Sequence, residues 1–195
     1  MISVEIQTKL RAMLNTGIIH WLERKPDEAI AYFEQVRAQF DSCNDSLLKA
    51  KFHNNYGLCF KLKAEITGDK SYLQKTLAEY QLVKSHLKEI DDLPAIAIVE
   101  ANIANVLLML GKTDEAHSYL NIAEEILTDF NDESLLGQTL ETRARVFFAE
   151  GDIEQAKQAI ERSEKLLMSG VEFGPLAETL KTKEMICEGS KGESA

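Results

Sequence analysis

The sequence predicts an all-α fold of antiparallel helix hairpins, and three observations carry that expectation. The first is composition. Only three prolines and ten glycines occur in 195 residues, and the chain is rich in Ala, Leu, Glu, Lys and Gln, the residues that lose least on entering a helix. Runs of β-branched and aromatic residues alternating with period two, which mark strands, are missing. The second is a recurring segment that closes a turn and opens a helix: Lys25-Pro-Asp-Glu-Ala29, Lys112-Thr-Asp-Glu-Ala116 and Asp152-Ile-Glu-Gln-Ala156. The third is spacing. Twelve residues before each of those alanines stands another small residue, at Gly17, Ala104 and Ala144.

Helices are expected at 3–23, 26–41, 45–67, 70–91, 93–110, 113–130, 133–150, 153–169 and 173–187. Pro26, Pro94 and Pro175 fall where a first helical turn tolerates proline. Asp69 or Ser71, Thr113 and Asp152 suit N-caps, because their side chains can accept from the orphan amides of a first turn. Gly111 and Gly151 stand where a helix end needs a left-handed residue. One copy of the repeat is altered. Its first small residue is Gly57, and its second is assigned to Ala78, which implies about nine extra residues around Ile66 to Tyr72. The period is 40 from Gly17 to Gly57 and from Ala104 to Ala144, but 47 from Gly57 to Ala104.

Close packing explains the small residues, since helices about 8–10 Å apart need Gly or Ala on the contact face. Large apolar residues are expected four positions after the second small residue, at Phe33, Leu82, Leu120 and Ile160. Three positions after the first come His20, Phe60, Leu107 and Phe147. A lone hairpin cannot bury both faces, so neighbouring hairpins should stack. The segment Leu180 to Ile186 lies forty residues after Leu140 to Val146. It reads as the first helix of a further repeat, with Glu184 in place of the small residue, either a natural cap or the cut end of a longer array. A single repeat domain is expected over 1–188, followed by a flexible polar tail at 189–195.

These small-to-large spacings, with the turns at Gly111–Ala116 and Gly151–Ala156, resemble the tetratricopeptide repeat family over Arg11 to Met168. The period of 40 exceeds the family's usual value of about 34. The tryptophan that often opens the unit and the proline that often closes it are missing, which suits a long-helix variant. The resemblance implies a right-handed superhelix of about four hairpins plus the C-terminal cap. It also implies that the first helices of successive hairpins line a concave groove. Transferred by register, the groove positions are Asn15, Ile18 and Trp21, then Lys51, Asn54, Asn55, Leu58 and Lys61. Asn102, Asn105 and Met109 follow, then Glu141, Arg145 and Phe148. Asn15, Asn55 and Asn102 are equivalent positions, and amides offer both donor and acceptor to an extended peptide backbone. Lys51, Lys61 and Arg145 could hold a ligand carboxylate. Two alternatives stay open: these polar residues merely keep a concave surface solvated, or partners bind the convex face. Trp21 is either a binding anchor or a seal between the first two hairpins.

The formal net charge is −10 and the pI about 5.0, which argues against nucleic acid and anionic membranes as partners, because both attract basic surfaces. Cys43, Cys59 and Cys187 form no CxxC pair, so a reducing cytoplasm is expected. The start MISVEIQTKL lacks the pattern of a signal peptide, and the runs Ala95 to Val99 and Val106 to Leu110 are too short to span a bilayer. His20, His53, His86 and His117 are scattered, without metal-ligand spacing. Neither a phosphate loop nor a nucleophile elbow occurs. Adjacent carboxylates such as Glu124 and Glu125 diverge on a helix. No cofactor, no metal and no catalysis are expected. The leading expectation is a module that binds a peptide or protein segment in its groove. The alternative is a regulatory or oligomerisation segment of a larger bacterial signalling protein, forming a homo-oligomer through exposed ends near Ile2, Ile6, Leu180 and Ile186.

Overall fold

The computed structural model describes residues 4–169 and 173–192, and among them the chain forms nine α-helices and no strand. They are α1 (Val4–Leu22), α2 (Pro26–Asp41), α3 (Ser46–Thr67), α4 (Ser71–Lys88), α5 (Leu93–Leu110), α6 (Thr113–Asp129), α7 (Glu133–Glu150), α8 (Ile153–Ser169) and α9 (Phe173–Gly192). Two compact units share these helices, one up to Leu93 and one from Pro94.

Helix ends follow local chemistry. Gly68, Gly111 and Gly151 take φ values of 72°, 77° and 80°, the left-handed geometry that closes a helix without a Cβ clash. Asp152 Oδ1 accepts from the Gln155 amide at 3.0 Å. Neither Asp69 nor Ser71 caps α4: the capping position is Lys70, which makes no capping bond, although Asp69 Oδ1 accepts from the Ser71 amide at 2.9 Å. Thr113 is no cap: it lies inside α6, and the capping position is Lys112, whose side chain makes no capping bond. Two further caps are absent from the sequence-based expectations. Asp45 accepts from the Leu48 amide at 3.0 Å, and Asp132 from the Leu135 amide at 3.0 Å. α4 stops at Lys88 rather than 91, because Asp91 turns left-handed at φ 52°. α9 runs on to Gly192, past the expected end at 187, into part of the stretch assigned to a tail; residues 193–195 lie outside the described residues.

In the first unit, α1 to α4 close on an aromatic core. Phe33 meets Phe52 edge-on at 5.5 Å between ring centroids, and Phe40 stacks on Phe52 at 4.6 Å. Each of these rings is fully buried, worth about 1.5–3 kcal/mol apiece. Gly17 of α1 explains how close α2 comes. A Cβ placed there would overlap the Phe33 ring. Trp21 packs against this same core, half-buried.

The second helix of each hairpin buries one repeating face. α2 buries Ala29, Phe33, Val36 and Phe40, α6 buries Ala116, Leu120, Ala123 and Leu127, and α8 buries Ala156, Ile160, Ser163 and Leu167. α4 supplies Thr76, Tyr80, Val83 and Leu87 at those positions. Ala78 and Leu82 are exposed, so the assignment of the altered repeat to them is corrected by two residues. Thr76 stands nineteen residues after Gly57 rather than twelve, so the insertion is seven residues, not nine. Seven is also the excess of the 47-residue period over 40. Four of them lengthen α3, which has 22 residues where α5 and α7 have 18. One lengthens the following turn, and two extend the start of α4. A threonine serves where the other copies have alanine because its hydroxyl donates to the Gly57 carbonyl at 3.2 Å.

In the second unit, α5 meets α6 and α7 through Ala97, Ala123, Leu127, Leu136 and Leu140. α5 is the one described helix long and apolar enough to cross a membrane, with a mean hydropathy of 1.9 over 18 residues. Ile96, Ala97, Val99, Ile103 and Val106 of that helix are buried in the protein itself. α9 packs on α7 and α8. Ile186 is fully buried there beside Ala144, Ala156 and Ile160, so it belongs to the core and is not an exposed end, whereas Glu184 faces solvent.

Candidate binding groove

Within the second unit, α5, α7 and α9 line a cleft of about 230 Å³ that opens to solvent. Ile98, Ala101, Asn102 and Asn105 come from α5; Leu135, Gln138, Thr139, Glu141 and Thr142 from α7; Pro175, Glu178 and Thr179 from α9. Leu127 of α6 completes the lining. The 40-residue period builds this arrangement. Positions 98, 138 and 178 are equivalent, as are 102 and 142, 139 and 179, and 101 and 141. Equal turns of successive helices therefore present their side chains to one space.

Polar groups in the cleft are held firmly. The Thr182 hydroxyl of α9 donates to Glu141 Oε1 of α7 at 2.6 Å. The buried Thr179 hydroxyl pairs with that of Ser163 at 3.2 Å, and Ser163 in turn donates to the Gly137 carbonyl at 2.7 Å. Burial pushes the Glu141 carboxyl above the usual carboxylate range; the Thr182 hydroxyl and the Arg145 charge pull it back, while Glu178 adds to the rise. Asn105 Oδ1 is buried and has no hydrogen-bond partner, a cost of about 1–3 kcal/mol when an amide oxygen stays unsatisfied.

Of the residues expected to bind peptide, Asn102, Asn105 and Glu141 are brought together at this cleft. Arg145 is half-buried close enough to act on the Glu141 charge but lines no part of the cleft. The others belong to the first unit. Asn15 and Lys51 are exposed, and Asn54 is half-buried. Asn55 Nδ2 donates at 2.8 Å to the Lys51 carbonyl of its own helix. Lys61 lies 3.8 Å from Glu65, one turn along α3. Phe148 packs against the core formed around Ala144 and Ile186. Gln138, Thr142, Glu178 and Thr179 are additions to the expected set. Forty-residue steps from Ile98, Val99 and Asn102 reach them, and Glu178 and Thr179 also require α9 to be read as a wall of the groove rather than as a cap.

Two charge networks, one buried and one partly exposed, are also not expected from the scattered histidines. In the first unit, His53 Nδ1 donates to Glu79 Oε2 at 2.6 Å, and Arg37 donates to Glu79 Oε1 at 3.1 Å. The His86 ring stacks on His53 at 5.6 Å, and the Arg37 guanidinium lies 5.0 Å over Tyr56. The set ties α2, α3 and α4 together. In the second unit, Arg143 donates to Glu124, to Asn121 Oδ1 at 2.8 Å and to His117 Nδ1 at 3.2 Å. With Nδ1 accepting, His117 Nε2 carries the proton it donates to Glu150 at 3.0 Å. His53 and Glu79 are both buried, which suits joining helices better than meeting a substrate. Cys59 is equally inert: burial pushes its thiol up to about 12, so it stays protonated.

The tetratricopeptide-repeat family model matches residues 11–42, the α1/α2 hairpin, whereas the turn motifs are most regular in the last two hairpins. No curated protein sequence matches the chain significantly. Among solved structures, BtubC (BKLC) from P. vanneervenii superposes with a TM-score of 0.76 at 12% identity, over 96% of this chain and 75% of that one. A putative kinesin light chain of Podosopora anserina with nearly identical TPR-like repeats gives a TM-score of 0.66 at 13% identity, over 94% and 90% of the two chains. A point variant of that kinesin light chain gives 0.67 at 13% identity, with the same coverage. The repeating buried faces and this shared all-α repeat fold make the chain a helical-repeat protein, with a tetratricopeptide repeat matched at its first hairpin.

Proposed function

We propose that this chain is a protein–protein interaction module that binds an extended peptide or protein segment in the α5/α7/α9 cleft. One observation supports this reading above the rest: Asn102 and Asn105 of α5 and Glu141 of α7 stand around one open cleft. An extended backbone supplies donors and acceptors in a row, which suits a side-chain amide such as that of Asn102. The apolar lining from Ile98, Ala101, Leu127 and Leu135 gives a partner's side chains a surface to cover. The fold is one that presents surfaces rather than reactive groups, and the buried histidines bind helices together.

The reading is tested by selecting heptapeptides from a displayed random library on the full chain, then repeating the capture with the Asn102→Ala/Asn105→Ala double variant. Peptides held by wild type and lost by the folded variant support the cleft. Peptides held equally by both place binding elsewhere on the surface.

A second reading rests on the first helix. Val4, Ile6, Ile19 and Leu22 of α1 are exposed, which favours homotypic contacts through that helix. Light scattering across a concentration series checks it, with Ile19→Asp/Leu22→Asp expected to abolish any self-association.

A further inference from the structure

A depression formed by α6, α7 and α8 encloses about 350 Å³ and shares no lining residue with the cleft. Its fixed point is Arg143 of α7, whose side chain is only 14% exposed. Nε–H donates to Glu124, Nη1 to His117 Nδ1 at 3.2 Å and Nη2 to Asn121 Oδ1 at 2.8 Å, all three acceptors belonging to α6. These bonds set the guanidinium in place and still leave one N–H on each terminal nitrogen. Arginine only donates, so Asn121 turns its oxygen toward Arg143 and keeps both Nδ2 hydrogens for another acceptor. Arg162 of α8 lines the same space, is exposed, and makes no ion pair among the described residues. The Gln155 side-chain amide is likewise unengaged among them.

Two cations therefore line one depression with a single carboxylate, Glu124, in a chain whose net charge is −10. Gathering like charges is unfavourable, and an anion between them relieves it. We propose that this depression is an oxyanion site, in which a carboxylate or phosphate group accepts from Arg143 and Arg162. Guanidinium groups present paired donors that match two oxygens of such a ligand. Asn121 Nδ2 and the Gln155 amide add neutral donors, whereas Gln158 donates to Glu154 at 2.9 Å. Leu140, Phe147 and Ala159 make the rest of the wall apolar, which strengthens charge-assisted bonds formed against it. The site stands apart from the peptide cleft, and either can fail without the other.

The test is a titration of the ¹⁵N-labelled full chain with inorganic phosphate and, separately, with glutarate, at an ionic strength held constant with sodium chloride. The Nε–H signals of Arg143 and Arg162 and the NH₂ signals of Asn121 and Gln155 should shift together and saturate. The arm that saturates at lower concentration tells phosphate from carboxylate as the preferred ligand. In Arg162→Gln, an exposed substitution whose far-UV circular dichroism should match wild type, the affinity should fall about tenfold, as for the loss of one charge-assisted contact. Arg162→Lys keeps the charge without the fork and should lose less. Shifts in both arms no larger than those produced by chloride would overturn the proposal, and so would saturating shifts that Arg162→Gln leaves unchanged.

Discussion

The hydroxyl of Thr76 lies 3.2 Å from the backbone carbonyl of Gly57 and 3.1 Å from that of Tyr72 in its own helix, sharing one proton between them, and Thr76 is the residue through which α4 meets α3 at Gly57. With Thr76 as the contact residue, Tyr80 points into the core and Leu82 points to solvent, 41% exposed. Tyr80→Ala should therefore cost about 3–5 kcal/mol, as for other large aromatic truncations. Leu82→Ala should stay within about 0.5 kcal/mol of wild type. Urea denaturation of the two variants distinguishes them, and equal losses would mean that the register is wrong.

Gly17→Ala is expected to destabilise, although alanine favours a helix by about 1 kcal/mol over glycine. The added methyl would overlap the Phe33 ring, and Phe33 is hemmed in by Phe52 and Tyr56 at 5.5 and 5.9 Å. Overpacking of this kind costs about 1–3 kcal/mol, so a net loss of up to about 2 kcal/mol follows once the helix gain is set against it. A stability equal to or above wild type, measured by the same denaturation, would show that α1 and α2 are less tightly apposed.

Glu79 accepts from both His53 and Arg37. Glu79→Ala removes the shared acceptor from a buried site and should cost about 2–3 kcal/mol, with Glu79→Gln recovering part of it. Melting curves of the two variants give the comparison, and a neutral Glu79→Ala would mean that the network contributes nothing to the first unit.

Much of this architecture is legible in the chain because periodic small residues mark helix contacts directly. Gly17, Ala104 and Ala144 each point to a partner twelve residues on, and those partners are buried as expected. The altered repeat misleads because its contact residue is not an alanine. Threonine is small enough when its hydroxyl finds the carbonyl of a bare glycine, and no single-residue pattern announces that exchange. The groove is half legible. Asn102, Asn105 and Glu141 follow from register, but Glu178 and Thr179 require α9 to be read as a full groove helix. Ion pairs such as His53 with Glu79 join residues on different helices, so no spacing within one helix could reveal them.

Burial holds the Glu141 carboxyl above its usual range, so the folded chain binds that proton more tightly than the unfolded chain. The stabilisation is complete below the unfolded value of about 4.3 and is lost as pH rises through the folded value. At neutral pH the ionised group then weakens the fold relative to a neutral isostere. Glu141→Gln should melt higher than wild type at about pH 7.5, and the difference should close at about pH 4. A variant that melts lower than wild type near neutrality would show Glu141 to be fully compensated in the free protein.

Side-chain amide resonances test the central claim most directly. With ¹⁵N-labelled protein and a selected peptide, the NH₂ signals of Asn102, Asn105 and Gln138 should shift together on titration, saturating with the peptide's affinity. Shifts confined to Gln155 and Gln158, which line a separate depression formed by α6, α7 and α8, with the cleft amides unmoved, would contradict the groove and place recognition on the other face of α7.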